Sequence, residues 1–293
     1  MLVSIGIPVR NGADLLEKAV RSALAQDHAD LEVVISDNAS TDGTQELCRE
    51  LARQDSRIVY HRQPHGVHVV ANFEEALRRA RGEFFRWMGD DDLLEPTYVS
   101  RTLEPFLADE RLILVTSDMT YTGADGTQHR PRYRGTGLLS DDPVDRLDEL
   151  CDLNTNVHLG LDPLYGLLRR DWVAAVPRPL MIREDEVYAA MLALTAPWGH
   201  VPEPLAHRHL RERRLTAIAA MLGVPAWTAH FATTLQFRAM YRALDTVELS
   251  PAQRRRARAV LLRTYWLRQR RTVAHRSRKL AGLAARAVSG VTK

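Results

Sequence analysis

The stretch LVSIGIPVRNGADLLEKAVRSALAQDHADLEVVISDNASTDG, residues 2–43, decides the fold. Residues 2–7 form an apolar, β-branched run that predicts a buried strand. Residues 8–12 hold Pro, Asn and Gly and predict a loop. Leu15, Leu16, Ala19, Ala23 and Leu24 then recur at helical spacing. Residues 31–36 predict a second strand, which runs into the polar segment 37–43. There Ser40, Thr41 or Asp42 would cap the helix that carries Leu47 and Leu51. Outward from this stretch the alternation continues, with a strand at 57–61, a helix at 70–80 and a strand at 84–88. Strands alternating with helices of this length indicate βαβ units. The expected class is therefore α/β, a Rossmann-like, mostly parallel sheet flanked by helices. In such sheets ligands bind beyond the carboxyl ends of the strands. The loops that begin at Pro8, Asp37 and Asp90 all leave such ends, so they predict one shared site.

The third of these loops carries the strongest chemistry. Asp90, Asp91 and Asp92 follow the apolar strand and precede Leu93-Leu94-Glu95-Pro96. Crowded carboxylates disfavour one another's ionised forms. A cation relieves that repulsion, and carboxylate oxygens are hard ligands suited to Mg²⁺ or Mn²⁺. Those ions also clamp phosphate oxygens, which points to a nucleotide or nucleotide-sugar. The alternative is that Asp92 caps the helix entered at Pro96 while the other two face solvent.

Two segments together, IPVRNGADLLEKAVRSALAQDHADLEVVISDNASTDGTQEL (7–47) and HGVHVVANFEEALRRARGEFFRWMGDDDLLEP (65–96), resemble the family 2 glycosyltransferases of GT-A fold. The likeness runs over about residues 1–210. It implies an enzyme that moves a sugar from a nucleotide diphosphate, UDP favoured, to an acceptor hydroxyl, with inversion and with Mn²⁺ or Mg²⁺. By the same resemblance, Pro8, Arg10 and Asn11 fall on the loop that contacts the base. Arg10 stands where the family usually has an aromatic residue. Asp37 falls on the aspartate that hydrogen-bonds the base, although the Asx turn of a helix-entry loop is its alternative. Asn72 and Asp90 join the donor-binding set. Spacing to Glu95-Pro96 aligns Gly89 with the first aspartate of the family's Asp-x-Asp-Asp and Asp91 with the metal ligand, assisted by Asp90 or Asp92.

The second half resembles the acceptor side. Residues 164–170 are similar to the strand before the acceptor helix, and 182–188 to the Glu-Asp motif that starts it. Direct displacement at an anomeric carbon needs the incoming hydroxyl to lose a proton, and a carboxylate within reach is the natural base. Asp185 aligns with that base and Glu184 is the second candidate. Both would otherwise be acids favoured by a helix's first turn. Residues 201–209 resemble the closing strand, whose His207, Arg208 and His209 would neutralise the diphosphate or, for His209, complete the metal shell. Strand alternation puts His207 and His209 on one face and Arg208 on the other.

Composition bounds the rest. A chain of 293 residues with 45% hydrophobic content suits one large α/β domain with an extension. We expect a catalytic domain over 1–212, made of a nucleotide-sugar half (1–110) and an acceptor half (111–212), then a helical region over 213–293. Two distant cysteines, Cys48 and Cys151, indicate no disulfide framework. No apolar run approaches the ~20 residues of a spanning helix, and the first strand starts at once, so a cytoplasmic protein is expected.

All 37 acidic residues precede residue 249, while thirteen of the 40 Lys and Arg follow residue 250. The first 250 residues are thus net acidic by ten and the tail is purely basic. Its Leu261, Tyr265, Trp266, Leu280 and Val288 predict one or two helices, apolar with aromatics on one side. Such a helix would lie peripherally on an anionic membrane, or dock on the acidic domain or on a second copy in a homo-oligomer. No nucleic-acid-reading motif is present. Two other functions stay open: a sugar nucleotidyltransferase, which would show a Gly-rich, Lys-containing loop after the first strand, and a non-catalytic sugar-nucleotide-binding module.

Overall fold

The computed structural model describes residues 1–156, 161–210 and 213–290, with side chains to residue 271 in the last helix. The chain opens with β1 (Val3–Val9), α1 (Leu16–Leu24), β2 (Leu31–Asp37), α2 (Thr44–Gln54), β3 (Ile58–Arg62), α3 (Val69–Arg79) and β4 (Phe84–Trp87). These four strands pair in parallel in the order β3-β2-β1-β4. β1 and β2 are buried along their full length, as expected where helices cover both faces of a sheet. Successive residues serve opposite layers: Val33 and Ile35 pack on one side with Phe84, and Val34 on the other with Phe85. Gly6 is required where β1 meets β4, since a Cβ there would stand 2.5 Å from the Phe85 ring.

After β4 the sheet becomes mixed. β5 (Leu93–Leu94), α4 (Tyr98–Ala108), β6 (Leu114–Thr122), β7 (Gln128–His129), α5 (Pro143–Asn156), β8 (Leu167–Arg169), α6 (Arg170–Ala174), α7 (Glu184–Thr195) and β9 (Trp198–His209) complete it. β8 runs antiparallel between β4 and β6, and β9 lies parallel to β6 with β5 on its outer edge. The antiparallel β5–β9 pairing sets Leu93 opposite His207, so it carries the acid loop after β4 to the end of β9.

The C-terminal elements are α8 (Leu215–Leu222), α9 (Ala232–Ala243) and a single long α10 (Pro251–Gly290). Ala257, Val260 and Leu261 of α10 are buried in the same core as Leu147, Leu150 and Cys151 of α5 and Met240 of α9. The basic tail finds its counter-charges there. Arg256 reaches Asp142 and Asp145, each at 2.6 Å, and Arg263 pairs with Asp148. Tyr265 stacks against Phe237 with centroids 4.8 Å apart. Intramolecular docking therefore accounts for the inner side of the tail, whereas Trp266 points outward and is 65% exposed.

Leu261 and Leu262 are neighbours with opposite environments, the first buried and the second exposed. Leu261→Ala should destabilise the protein by about 2–5 kcal/mol, through lost transfer energy plus a cavity. Leu262→Ala should stay within about 0.5 kcal/mol. Chemical denaturation of both variants checks this.

Candidate active site

A cavity of about 600 Å³ opens beyond the carboxyl ends of β1 and β4. Of the expected residues, Pro8, Arg10, Asn72, Asp90, Asp91, Arg208 and His209 line it. Asn38, Tyr121, Asp162, Tyr165 and Arg213 line it as well. Asn11, Asp37, Asp92, Glu184, Asp185 and His207 do not.

The three aspartates part company. Asp92 is buried, and its Oδ2 accepts from the Gly89 N–H at 3.0 Å and from Arg208 Nε at 3.2 Å. Arg208 also donates to Asp162, and its guanidinium lies 3.5 Å from the centroid of Tyr165. Burial raises the Asp92 pKa, with Arg208 opposing. Burial likewise works against the Arg208 charge, but Tyr165, Asp162 and Asp92 outweigh it and hold its pKa above the ordinary value. Asp92 thus belongs to the wall of the site, and Asp90 and Asp91 to its surface. No group of three His, Cys, Asp or Glu side chains suited to a metal is assembled among the described residues.

The base-side loops are tied to one another. Asn11 Oδ1 accepts from the Thr41 N–H at 2.9 Å, and the Asn11 N–H donates to Ser40 Oγ at 2.9 Å. Asp37 is fully buried. Its Oδ1 accepts from the Ser40 N–H at 2.8 Å and its Oδ2 from Tyr60 Oη at 2.9 Å, with Arg62 Nε 3.5 Å away. Asp37 is thus held inside the loop it begins, by the N–H three residues on, and the next residue, Asn38, lines the cavity. Asp42 stands one residue before the α2 N-cap, Gly43, and accepts from the Thr44 N–H at 3.0 Å, an Asx turn at the helix entry. Asn72 is buried and staples α3 to β2, donating to Ser36 O at 2.9 Å and accepting from Ser36 Oγ at 2.8 Å.

At the start of α7, Glu184 makes a bidentate pair with the buried Arg178, at 2.6 and 2.8 Å. Glu186 receives Arg268 of α10 at 2.6 Å. Asp185 between them has its pKa pushed up to about 7, first by burial among protein atoms, then by Glu184, Glu186 and Asp162. Its exposed surface keeps water at the carboxyl, which tempers the shift without changing its direction. Asp162 lines the cavity, so the electrostatics of the cavity wall reach Asp185.

Strand alternation fails at the end of β9. His207 turns to Glu95, 2.6 Å from Nε2 to Oε1. Arg208 and His209 both face the cavity, and His209 Nδ1 lies 2.8 Å from the Asp91 carbonyl. His209 is the last residue of β9, still opposite Thr122 of β6. Backbone strain also gathers here. Asn11, Ala39 and Arg183 are the non-glycine residues with positive φ among the described ones, at 56°, 51° and 65°. They stand in the β1 loop, in the β2 loop and just before α7. Such positions cost of order 1–3 kcal/mol each and cluster at functional sites.

Sequence reasoning missed Asp162 and Tyr121. The only signal for Asp162 was its place before Pro163, which reads as an ordinary turn. Tyr121 sits in a strand whose pairing is decided by distant residues.

Residues 4–158 match the sequence profile described as glycosyl transferase family 2. The chain belongs to this family. It is 35% identical to chondroitin synthase of Pasteurella multocida (strain Pm70) over 126 residues, 43% of this chain and 13% of that one. It is 32% identical to the putative teichuronic acid biosynthesis glycosyltransferase TuaG of Bacillus subtilis (strain 168) over 128 residues, 43% of this chain and 50% of that one. The match thus spans half or less of these relatives' length. The solved structure of S. aureus TarS 1-349 in complex with UDP superposes with a TM-score of 0.62 at 15% identity, covering 89% of this chain and 71% of that one. The mannosyltransferase PcManGT of Pyrobaculum calidifontis, in complex with GDP-Man and Mn²⁺, gives 0.51 at 17% identity, covering 89% and 85%. The fold is the GT-A fold.

The raised pKa of Asp185 has two consequences of known sign. If Asp185 takes the acceptor's proton, it works only when ionised, so kcat/KM should climb with pH through a limb displaced above the ordinary carboxylate range and level off beyond it. A carboxyl whose folded pKa lies above its unfolded value is a stability penalty that sets in as pH rises between the two. Asp185→Asn should therefore abolish most transfer while leaving the melting temperature at pH 8 unchanged or higher. A pH–rate limb near 4, or a melting temperature lowered at pH 8, contradicts the assignment.

Proposed function

We propose that the protein transfers a hexosyl or N-acetylhexosaminyl group from a nucleotide-diphosphate sugar to a hydroxyl of a glycan, lipid-linked or small-molecule acceptor, with inversion. The observation that carries this is an acidic and cationic cavity together with Asp185, which stands outside its lining and feels it through Asp162. Asp90 and Asp91 face the cavity beside Arg208 and Arg213, and Asp185 holds a proton affinity suited to a general base. UDP is the favoured nucleotide, in line with TarS, whose solved structures hold UDP and UDP-GlcNAc.

The donor set fits a hard divalent cation held in part by substrate. Mg²⁺ and Mn²⁺ are commonly bound by one or two carboxylates, with phosphates and water supplying the other ligands. Asp91, assisted by Asp90 at the same rim, would hold the ion, with His209 beside them. When bound, the metal neutralises the diphosphate leaving group. The chain's own residues then do the rest. The loops of β1 and β2 set the floor for the base through Pro8, Arg10 and Asn38. Arg208, fixed by Asp92 and Asp162, places a permanent positive charge on the cavity wall for the diphosphate. Asp185 takes the acceptor's hydroxyl proton as the oxygen attacks the anomeric carbon from the face opposite the leaving nucleotide. Backside displacement inverts that centre. We place the reaction in the cytoplasm, where two buried free thiols, Cys48 and Cys151, are at home.

A nucleotidyltransferase reading fits less well, because Pro8-Val9-Arg10-Asn11 stands where its Gly-rich, Lys-containing loop would be.

Incubation with a panel of UDP- and GDP-sugars and Mn²⁺ should release free nucleoside diphosphate. Asp91→Asn should fold normally and release at least tenfold less. The transferred sugar should carry the inverted configuration by NMR. Release of pyrophosphate from a triphosphate, or near-native turnover of Asp91→Asn, overturns the reading.

A further inference from the structure

The outer stripe of α10 is not used by the fold. Arg255, Ala259, Leu262, Trp266 and Arg270 follow one another at steps of four, three, four and four, which places them on one helix face. All are exposed. Leu262 is 45% and Trp266 65% exposed, and Leu267 beside them is 38% exposed. Among the described arginines of the helix, Arg256, Arg263 and Arg268 pair with acids beside α5 and α7, and Arg254 with Asp245 of the α9–α10 turn. Arg255 and Arg270 have no ion-pair partner among the described residues. The stripe thus combines an apolar centre, including a tryptophan, with cations that the protein does not neutralise.

Two kinds of partner would cover such a face, an anionic bilayer or a second copy of the chain. A two-fold dimer would set the stripe against itself and bring its unneutralised arginines face to face, without a carboxylate after Glu248 to offset them. An anionic lipid surface offers the opposite charge. It also accepts Trp and Leu at the level of the headgroups while arginines stay in water. The position suits a surface reaction. Arg268, on the inner side of α10, holds Glu186, the residue after Asp185. A helix is about 10 Å across, so the stripe lies about one helix diameter from the start of α7.

We infer that the Leu262–Trp266 face of α10, flanked by Arg255 and Arg270, is a docking surface for an anionic lipid bilayer. The inference goes beyond the transferase reading and does not depend on it. The test is flotation of the full chain with vesicles of phosphatidylcholine alone and with about one third phosphatidylglycerol. The protein should float with the anionic vesicles at low salt and fall away as salt rises, because exposed charges are screened within ~8 Å at physiological ionic strength. Leu262→Ser/Trp266→Ser should bind at least tenfold more weakly with an unchanged melting temperature. Arg255→Gln and Arg270→Gln should each cost about fivefold, on anionic vesicles only. Three results overturn the inference: no flotation at low salt; flotation unaffected by the Leu262/Trp266 variant, which moves the contact elsewhere on the chain; and sedimentation as a dimer that this variant dissociates, which assigns the face to a second copy. Nucleotide release from soluble assays is read in parallel, so loss of docking and loss of catalysis are told apart.

Discussion

The site depends on the Arg208 ion-pair network. One guanidinium at the end of β9 binds Asp92 and Asp162 and rests on the Tyr165 ring. Three acids in a row would repel one another at a strand end. Drawing Asp92 into the wall beside a cation takes one charge away from the cluster and leaves two at the cavity surface. The same arginine joins the loop after β4 to the segment before β8, so two parts of the chain far apart in sequence share one electrostatic anchor. Removing one partner of a buried pair strands the other charge at a cost of about 3–5 kcal/mol, which explains why so many elements converge there.

The first four strands and three helices were legible because each is a local pattern. Period two, period 3.6 and polar loops at strand ends need no knowledge of distant residues, and the predicted limits lie within two residues of the observed ones. The placing of Asp90 and Asp91 on a common rim with Pro8 and Arg10 followed from the same rule. What could not be read was long-range. Asp92 and Arg208 are 116 residues apart, and nothing near Asp92 marks it as the member that turns inward. The burial of Asp37 depends on Tyr60 from the neighbouring strand. His209 departs from simple alternation and reaches the Asp91 carbonyl, while His207 keeps to the other face beside Glu95. Strand pattern alone carries none of this information.

The tail shows a different limit. Its charge asymmetry was evident, yet charge alone could not choose between a membrane and the acidic domain. The structure sorts the helix by face: Ala257, Val260 and Leu261 are inside, while Leu262 and Trp266 are outside. Apolar residues in a basic helix have two destinations, and only the position of α5 sorts them. Arg268, which joins α10 to the first turn of α7, makes the tail part of the packed fold rather than an appendage.

The central claim is that the protein offers a divalent cation only an incomplete set of ligands, Asp91 with Asp90, which the donor diphosphate completes. Electron paramagnetic resonance of Mn²⁺ titrated into the protein with and without UDP tests it directly. Weak binding without nucleotide and at least tenfold tighter binding with UDP is the result this account predicts. Tight Mn²⁺ binding that is indifferent to UDP would contradict it, since that requires a preformed protein cage which the described residues do not assemble.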